Sequence, residues 1–354
     1  MRTVPSPRQS WKPLLLLLAL LFLAAPASAA DPYYKGKELS ILCGFAAGSG
    51  VDLHARLMGR HLARFIPGNP SVIIQNNPGA SGILAFNHVY NRAKKDGLTI
   101  GNTSSGLITR QLIKRPGIRF DLKKSVLVGA NSTQSRYVYV NGGLGIKSVG
   151  DLYGREKPIV TGWSSKGGGP DVMIELMFRM LGLDRKAIYG YKGGPDIFLA
   201  VQRGEIEMAS SNEMDYPTQG KPLAQQGAIR VLMQSGIFQD GKFVRSKTLP
   251  DIPTVEEAYT ERNGKAPSGP FWDALKALAA VPTRSYWVAP GTPPELIDML
   301  RQAFVKMSND AQYQTDSKRL LGYVDKLGTG PRKQIIVNYL SLPEDIAKLF
   351  VRKR

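Results

Sequence analysis

Between residues 39 and 106 one short arrangement recurs three times: an apolar run closes in a loop of small or polar residues. The first run, residues 39–45, enters the loop Phe45, Ala46, Ala47, Gly48, Ser49, Gly50. Behind it Ala55, Met58, Leu62 and Phe65 fall at offsets of three, seven and ten, one face of a helix that Pro67 and Gly68 stop. The second run, residues 71–75, meets the turn Asn77, Pro78, Gly79, Ala80, Ser81, Gly82, with a helix predicted from about 83 to 93. The third, residues 98–102, ends in a loop read as Thr103, Ser104, Ser105, Gly106. A strand–loop–helix order aims backbone N–H groups and the positive end of the helix dipole at the loop, so an anion is its natural guest. Small side chains let that guest reach the backbone itself. One such loop is an ordinary tight turn. Three in succession predict an α/β sheet whose strand ends gather into a ligand site.

The same grammar returns further along. A strand at 158–162 leads into Trp163, Ser164, Ser165, Lys166, Gly167, Gly168, Gly169 and Pro170, with a helix expected over 171–181. A strand at 187–189 leads into Tyr191, Lys192, Gly193, Gly194 and Pro195, and a strand at 206–209 closes in Ser210, Ser211 and Asn212. The stretches VLVGA and RYVYV between 126 and 140 read as a crossing between two lobes, and the strand at 229–234 lies near the return. A segment at 271–280, a strand at 285–289 and a helix opened by Pro293 follow. Residues 261–282 are the least legible part of the chain.

Residues 1–30 read as a cleavable export signal. Arg2, Arg8 and Lys12 precede an aliphatic run at 14–25, and Ala27, Ser28, Ala29 and Ala30 stand before Asp31. The run is short for a membrane span. Cys43 is the only cysteine, so no internal disulfide framework exists, and its place in a strand-like run reads as a small buried hydrophobe. Without those 30 residues, 44 of the 47 basic residues remain against 28 acidic ones, a net +16 over 324 residues. That charge draws anions. The basic residues are scattered except for Arg352, Lys353 and Arg354, and no nucleic-acid signature accompanies them. The expected partner is a small anionic solute or an anionic membrane surface, not nucleic acid.

Catalytic chemistry is not legible. His54, His61 and His88 fall on the first two predicted helices without a third ligand and read as solvated helix residues. The chain has no G-x-S-x-G, no S-x-x-K, no G-x-G-x-x-G and no phosphate-binding G-x-x-x-x-G-K-[ST]. No catalytic residue, metal or cofactor is expected. What remains suits reversible capture of a carboxylate by N–H and O–H donors.

Eight motifs follow one another in the order of a known family: FAAGSGVD (45–52), NNPGASG (76–82), KKDGLTIGNTSS (94–105), SSKGGGP (164–170), YKGGPD (191–196), RGEIEM (203–208), LPDIPTVEEA (249–258) and APGTPPELI (289–297). In these the chain resembles the substrate-binding proteins of tripartite tricarboxylate transporters, the TctC or Bug family. The resemblance implies a periplasmic-binding-protein-like (type II) α/β fold, two lobes joined by a two-strand hinge, with a carboxylate cleft between them. It places the lobes at 31–135 with 245–354, and at 136–244. It implies ligand contacts from Phe45 to Gly50, from Gly79, Ala80, Ser81 and Gly82, and from Ser104 and Ser105. Opposite them it implies Ser164, Ser165, Lys166, Tyr191, Gly193, Gly194, Ser211 and Asn212. Asp52, just inside the first helix, is included, in a role that caps and orients rather than touches the acid.

Departures from the family pattern are Gly169 and Val172, where serine and histidine are usual, Ser211 where aspartate is frequent, and Lys166 where glycine is common. Lys166 either meets a second anionic group or points to solvent. The resemblance further implies a monomeric periplasmic receptor that delivers a small carboxylate to one large and one small membrane subunit. A sensor presenting its closed form to a receptor, or an enzyme on the same scaffold, are the alternatives.

Overall fold

Thirteen strands form among the described residues because short β-branched and aromatic runs alternate with Gly, Pro, Asn and Ser. The computed structural model describes residues 31–350 apart from 132, 214, 240, 241, 322, 323 and 325. The expected export signal at 1–30 and the basic tail lie outside the described residues. In the first sheet, β1 (Glu38–Cys43), β2 (Ser71–Asn76) and β3 (Thr99–Ser104) run parallel. β12 (Arg284–Val288) is antiparallel to β3 and to β4 (Val126–Asn131), and β13 (Leu327–Gly328) closes the edge, in the order β13-β4-β12-β3-β1-β2.

The second sheet repeats this plan. β6 (Ile159–Trp163), β7 (Arg185–Tyr189) and β8 (Met208–Asn212) are parallel; β5 (Arg136–Asn141) lies antiparallel between β8 and β9 (Ile229–Gln234), in the order β7-β6-β8-β5-β9. A small hairpin pairs β10 (Ile237–Gln239) with β11 (Lys242–Val244). The chain therefore crosses between the sheets once from β4 to β5 and returns at β12. Two α/β lobes joined by two crossings is the architecture the motif order implied.

Helices fill the crossovers. They are α1 (Gly50–Leu62), α2 (Ile83–Asn91) and α3 (Ser105–Leu112) in the first lobe, and α4 (Gly169–Leu181), α5 (Gly194–Gln202) and α6 (Lys221–Gln225) in the second. Then come α7 (Val255–Asn263), α8 (Pro270–Ala280), α9 (Pro294–Asn309), α10 (Ala311–Leu321), α11 (Gly330–Tyr339) and α12 (Glu344–Leu349). The illegible stretch at 261–282 is thus the end of α7 and the whole of α8. Trp272, Leu275 and Leu278 of α8 join the same buried cluster as Met173, Leu176 and Met177 of α4. α7 opens on a capping box in which Thr254 accepts from the Glu257 N–H and Glu257 accepts from the Thr254 N–H.

Two expectations need correction. The third small-residue loop does not exist: β3 runs through Ser104 and α3 begins at Ser105. Pairing of Ser104 with Arg284 and of the Ser105 N–H with Thr283 O (3.2 Å) prolongs the ladder up to the helix. His54 and His61 are buried rather than solvated, at 1% and 3% exposure. His54 Nδ1 shares a hydrogen with the Tyr286 hydroxyl at 2.9 Å, and His61 Nε2 lies 3.0 Å from Asp316.

A buried carboxyl sits beside the crossing strands. Glu213 accepts from the Tyr137 hydroxyl of β5 at 3.2 Å and from Ser246. Burial pushes it above its ordinary value of 4.5, against the pull of the two hydroxyls. Between 4.5 and the raised folded value the native state holds more protons than the unfolded chain, so stability falls as pH rises through that window. Glu213→Gln keeps an acceptor without the charge. It is expected to unfold at higher urea than wild type at pH 7.5, with the gap narrowing towards pH 5; an unchanged gap would refute the assignment.

Candidate functional site

Three of the strand-to-helix loops are shaped by an aspartate in the helix that follows. Asp52, fully buried, accepts from the Gly48 N–H (2.8 Å), from Arg56 Nε (2.8 Å) and from Asn76 Nδ2 (2.8 Å). Burial raises its pKa, but these donors outweigh burial and hold the carboxyl below the usual range. Asp171 accepts the Gly167 N–H at 2.8 Å, and Asp196 the Lys192 N–H at 3.2 Å. In all three cases the third residue of the helix takes the N–H four positions back. Through these bonds Asp52 orients the first loop and the start of α1.

The second loop is held differently. Gly79, Ala80, Ser81 and Gly82 have φ of 150, 46, 54 and 93°, four left-handed residues in a row. At Ala80 and Ser81 this costs on the order of 1–2 kcal/mol each. The turn sits against the first loop: a Cβ on Gly44 would lie 2.6 Å from Gly82 Cα, so only glycine fits at 44.

Between the sheets lies a cavity of about 260 Å³, which shares Ser81, Arg110 and Ser165 of its lining with an outer one of about 630 Å³. The first lobe lines the inner space with Phe45, Ser81, Ser104 and Ser105, and the second with Ser165, Gly168, Gly169 and Asn212. α3 and α4 start at this space facing one another, and a Cβ on Gly169 would be 3.2 Å from Ser105 Oγ. Neither helix has a side-chain cap, so both leave first-turn N–H groups for a guest.

Residues of the two crossings also line the inner cavity, Thr133, Gln134 and Arg136 on one and Thr283 and Arg284 on the other, beside apolar side chains such as Val51, Met173 and Leu278. Arg136 donates from Nε to Ser210 Oγ at 3.1 Å, and Arg284 donates to the Thr283 carbonyl at 2.8 Å. Arg110 donates to the Gly106 carbonyl at 2.9 Å and reaches Ser165 Oγ, across the cleft, at 3.5 Å. Burial lowers the pKa of Arg136 to about 10 and also lowers that of Arg110.

Of the residues singled out from sequence, Phe45, Ser81, Ser104, Ser105, Ser165 and Asn212 meet in the inner cavity, and Ala80 and Lys166 line the outer one. Ala46, Ala47, Gly48, Ser49, Gly50, Asp52, Gly79, Gly82, Ser164, Tyr191, Gly193, Gly194 and Ser211 line neither. Ala46, Ala47 and Gly48 are exposed, and Gly79 faces Leu84. The Tyr191 ring packs on Gly162, and the Asp215 carboxylate stands before Gly194. Sequence reasoning missed Arg110, Arg136 and Arg284. A basic residue opening each of two otherwise apolar crossing strands was the available signal. Among the described residues no cluster of three His, Cys, Asp or Glu could hold a metal, and no helix is long and apolar enough to cross a membrane.

The family model described as tripartite tricarboxylate transporter family receptor, TctC, matches residues 58–318, well over half of the chain. The chain belongs to the TctC family. A UPF0065 protein of Cupriavidus necator is 24% identical over 306 residues, covering 84% of this chain and 82% of the relative. A Rhodopseudomonas palustris protein solved with adipate superposes with a TM-score of 0.66 at 22% identity, over 89% of this chain and 97% of its own. MatC of the same organism, solved with malate, superposes at 0.64 with 16% identity, over 88% and 99%. These structures share the fold, and this chain has the same two-lobed α/β architecture.

Proposed function

We propose that this TctC protein is a periplasmic receptor that closes on a small carboxylate and passes it to the membrane subunits of a tripartite transporter. The observation that carries this reading is the inner cavity, where the uncapped N-termini of α3 and α4 converge from opposite lobes. Such donors, fixed by the backbone, favour a carboxylate over a neutral solute. The malate and adipate held by two structural neighbours support the same ligand class. Mechanism here is closure: a solute touching both lobes binds the closed state more tightly and shifts the equilibrium towards it. We assign solute contacts to Phe45, Ser81, Ser104, Ser105, Ser165 and Asn212, and export to the signal at residues 1–30. Because α7 and α8 pack on the second lobe, we place its boundary near residue 281 rather than 244.

A thermal-shift screen against mono-, di- and tricarboxylates tests the proposal, since a ligand at a hundred times its Kd adds about 2.7 kcal/mol to stability. At least one acid should raise the melting temperature. Gly169→Val should leave the unliganded melting temperature within a few degrees yet abolish the shift, because its Cβ already meets Ser105 Oγ at 3.2 Å and the remaining methyls fill the cleft. If no acid stabilises wild type, the reading fails.

A further inference from the structure

We propose that Arg136 and Arg284 form a second anion seat in the cleft, so that the preferred solute carries two acidic groups. This rests on the cleft being the carboxylate site and adds what its far end selects. The two guanidinium groups come from the two crossings, where β5 and β12 begin, and both line the inner cavity that contains the α3 and α4 N-termini. Arg284 is the register partner of Ser104, so its backbone lies next to the strand that feeds α3. One acidic group on the helix ends therefore leaves the rest of a small molecule beside the arginines.

Charge makes the seat unbalanced when empty. Among the described residues Arg136 donates to Ser210 and Arg284 to the Thr283 carbonyl, neither of them a carboxylate, and Arg284 Nε is buried with no acceptor in the protein. Burial first, and then the Arg284 charge, lower the pKa of Arg136, and Asp215 is the carboxylate whose field reaches both arginines. Asp215 itself is pushed up by burial, then pulled back by the pair. Two guanidinium groups against one carboxylate leave one positive charge over, and Arg110, also without a carboxylate partner, adds another. A fork of N–H donors on a planar cation matches a carboxylate in two-point contact, which a lysine would not. A volume of about 260 Å³ is slightly smaller than the ~300–1,000 Å³ of drug-sized sites and suits a short diacid. Lys166 lies on the outer cavity and is exposed, so it is not needed for this selection.

The experiment is calorimetric titration of the purified protein with succinate, glutarate and adipate, and with the matching monoacids butyrate, valerate and hexanoate. Wild type should bind at least one diacid about tenfold or more tighter than its monoacid, the worth of one charge-assisted contact. Arg284→Gln and Arg136→Gln should each erase that preference while leaving monoacid affinity within about twofold. Arg284→Lys should restore only part of it. Among the described residues the Arg284 side chain makes a single hydrogen bond, to its neighbouring residue, so its variant is expected to fold even if that of Arg136 does not. Equal binding of mono- and diacids by wild type, or equal loss of both in Arg284→Gln, overturns the second seat and leaves the carboxylate receptor standing. Failure of every acid to bind wild type overturns both.

Discussion

Arg185→Leu is expected to remove about 3–5 kcal/mol of folding stability, the usual loss when one partner is taken from a buried ion network. Arg185 is 5% exposed and holds two carboxylates at once. One nitrogen lies 2.8 Å from Asp171 and 2.7 Å from Glu175, while Nε donates to Glu175 at 2.9 Å. Leucine leaves both acids in a poorly solvated place, and only Glu175 keeps an arginine, Arg179 at 2.8 Å. Asp171 also closes the Ser165–Gly169 side of the cleft through the Gly167 N–H, so ligand affinity should fall with stability. Urea unfolding followed by tryptophan fluorescence measures the first effect and calorimetry the second. The double replacement Arg185→Met with Glu175→Leu should recover part of the stability, because it removes a stranded charge; no recovery would mean that packing, not charge, set the loss.

Asp52→Ala is expected to cost about 2–3 kcal/mol, the worth of a charge-assisted bond together with a helix-terminal one. It releases Gly48, Arg56 and Asn76 together. The pH signature runs opposite to that of Glu213. A carboxyl held below its unfolded value of 3.8 contributes fully above that pH and loses its contribution as pH falls through the folded value. The gap between wild type and Asp52→Ala should therefore be full at pH 7 and shrink below pH 4. Because residues 46–50 line neither cavity, solute affinity should change far less than stability. Loss of binding with stability intact would place this loop on the solute after all.

What could be read in advance was local. The turn from β1 into α1 is encoded by small residues and by an aspartate at a fixed distance, and the same Gly-x-Asp spacing marks α4 and α5. Pro293 at the head of α9 and the Thr254–Glu257 capping box also lie within a few residues of what they shape. The third loop was misread because its fate depends on a partner strand: Arg284 pairs with Ser104 from far along the chain. Tyr191 and Gly194 were expected on the cleft wall, yet the Tyr191 ring packs on Gly162 and the Asp215 carboxylate stands before Gly194. α8 was illegible because its apolar residues Trp272, Leu275 and Leu278 have meaning only against α4.

By itself the sequence determined that strands, small-residue loops and helices alternate in two sets, and that no catalytic constellation is legible among them. Contacts spanning three or four residues are sufficient for that, since capping, turn chirality and amphipathic spacing act within one helical turn. The tertiary structure alone decided which loops meet. It brought the N-termini of α3 and α4 together, left Ala46, Ala47 and Gly48 exposed, and set Arg136 and Arg284 on the same cavity. Those are contacts between residues far apart in the chain, made by the order of strands in two sheets, and no local spacing carries that order.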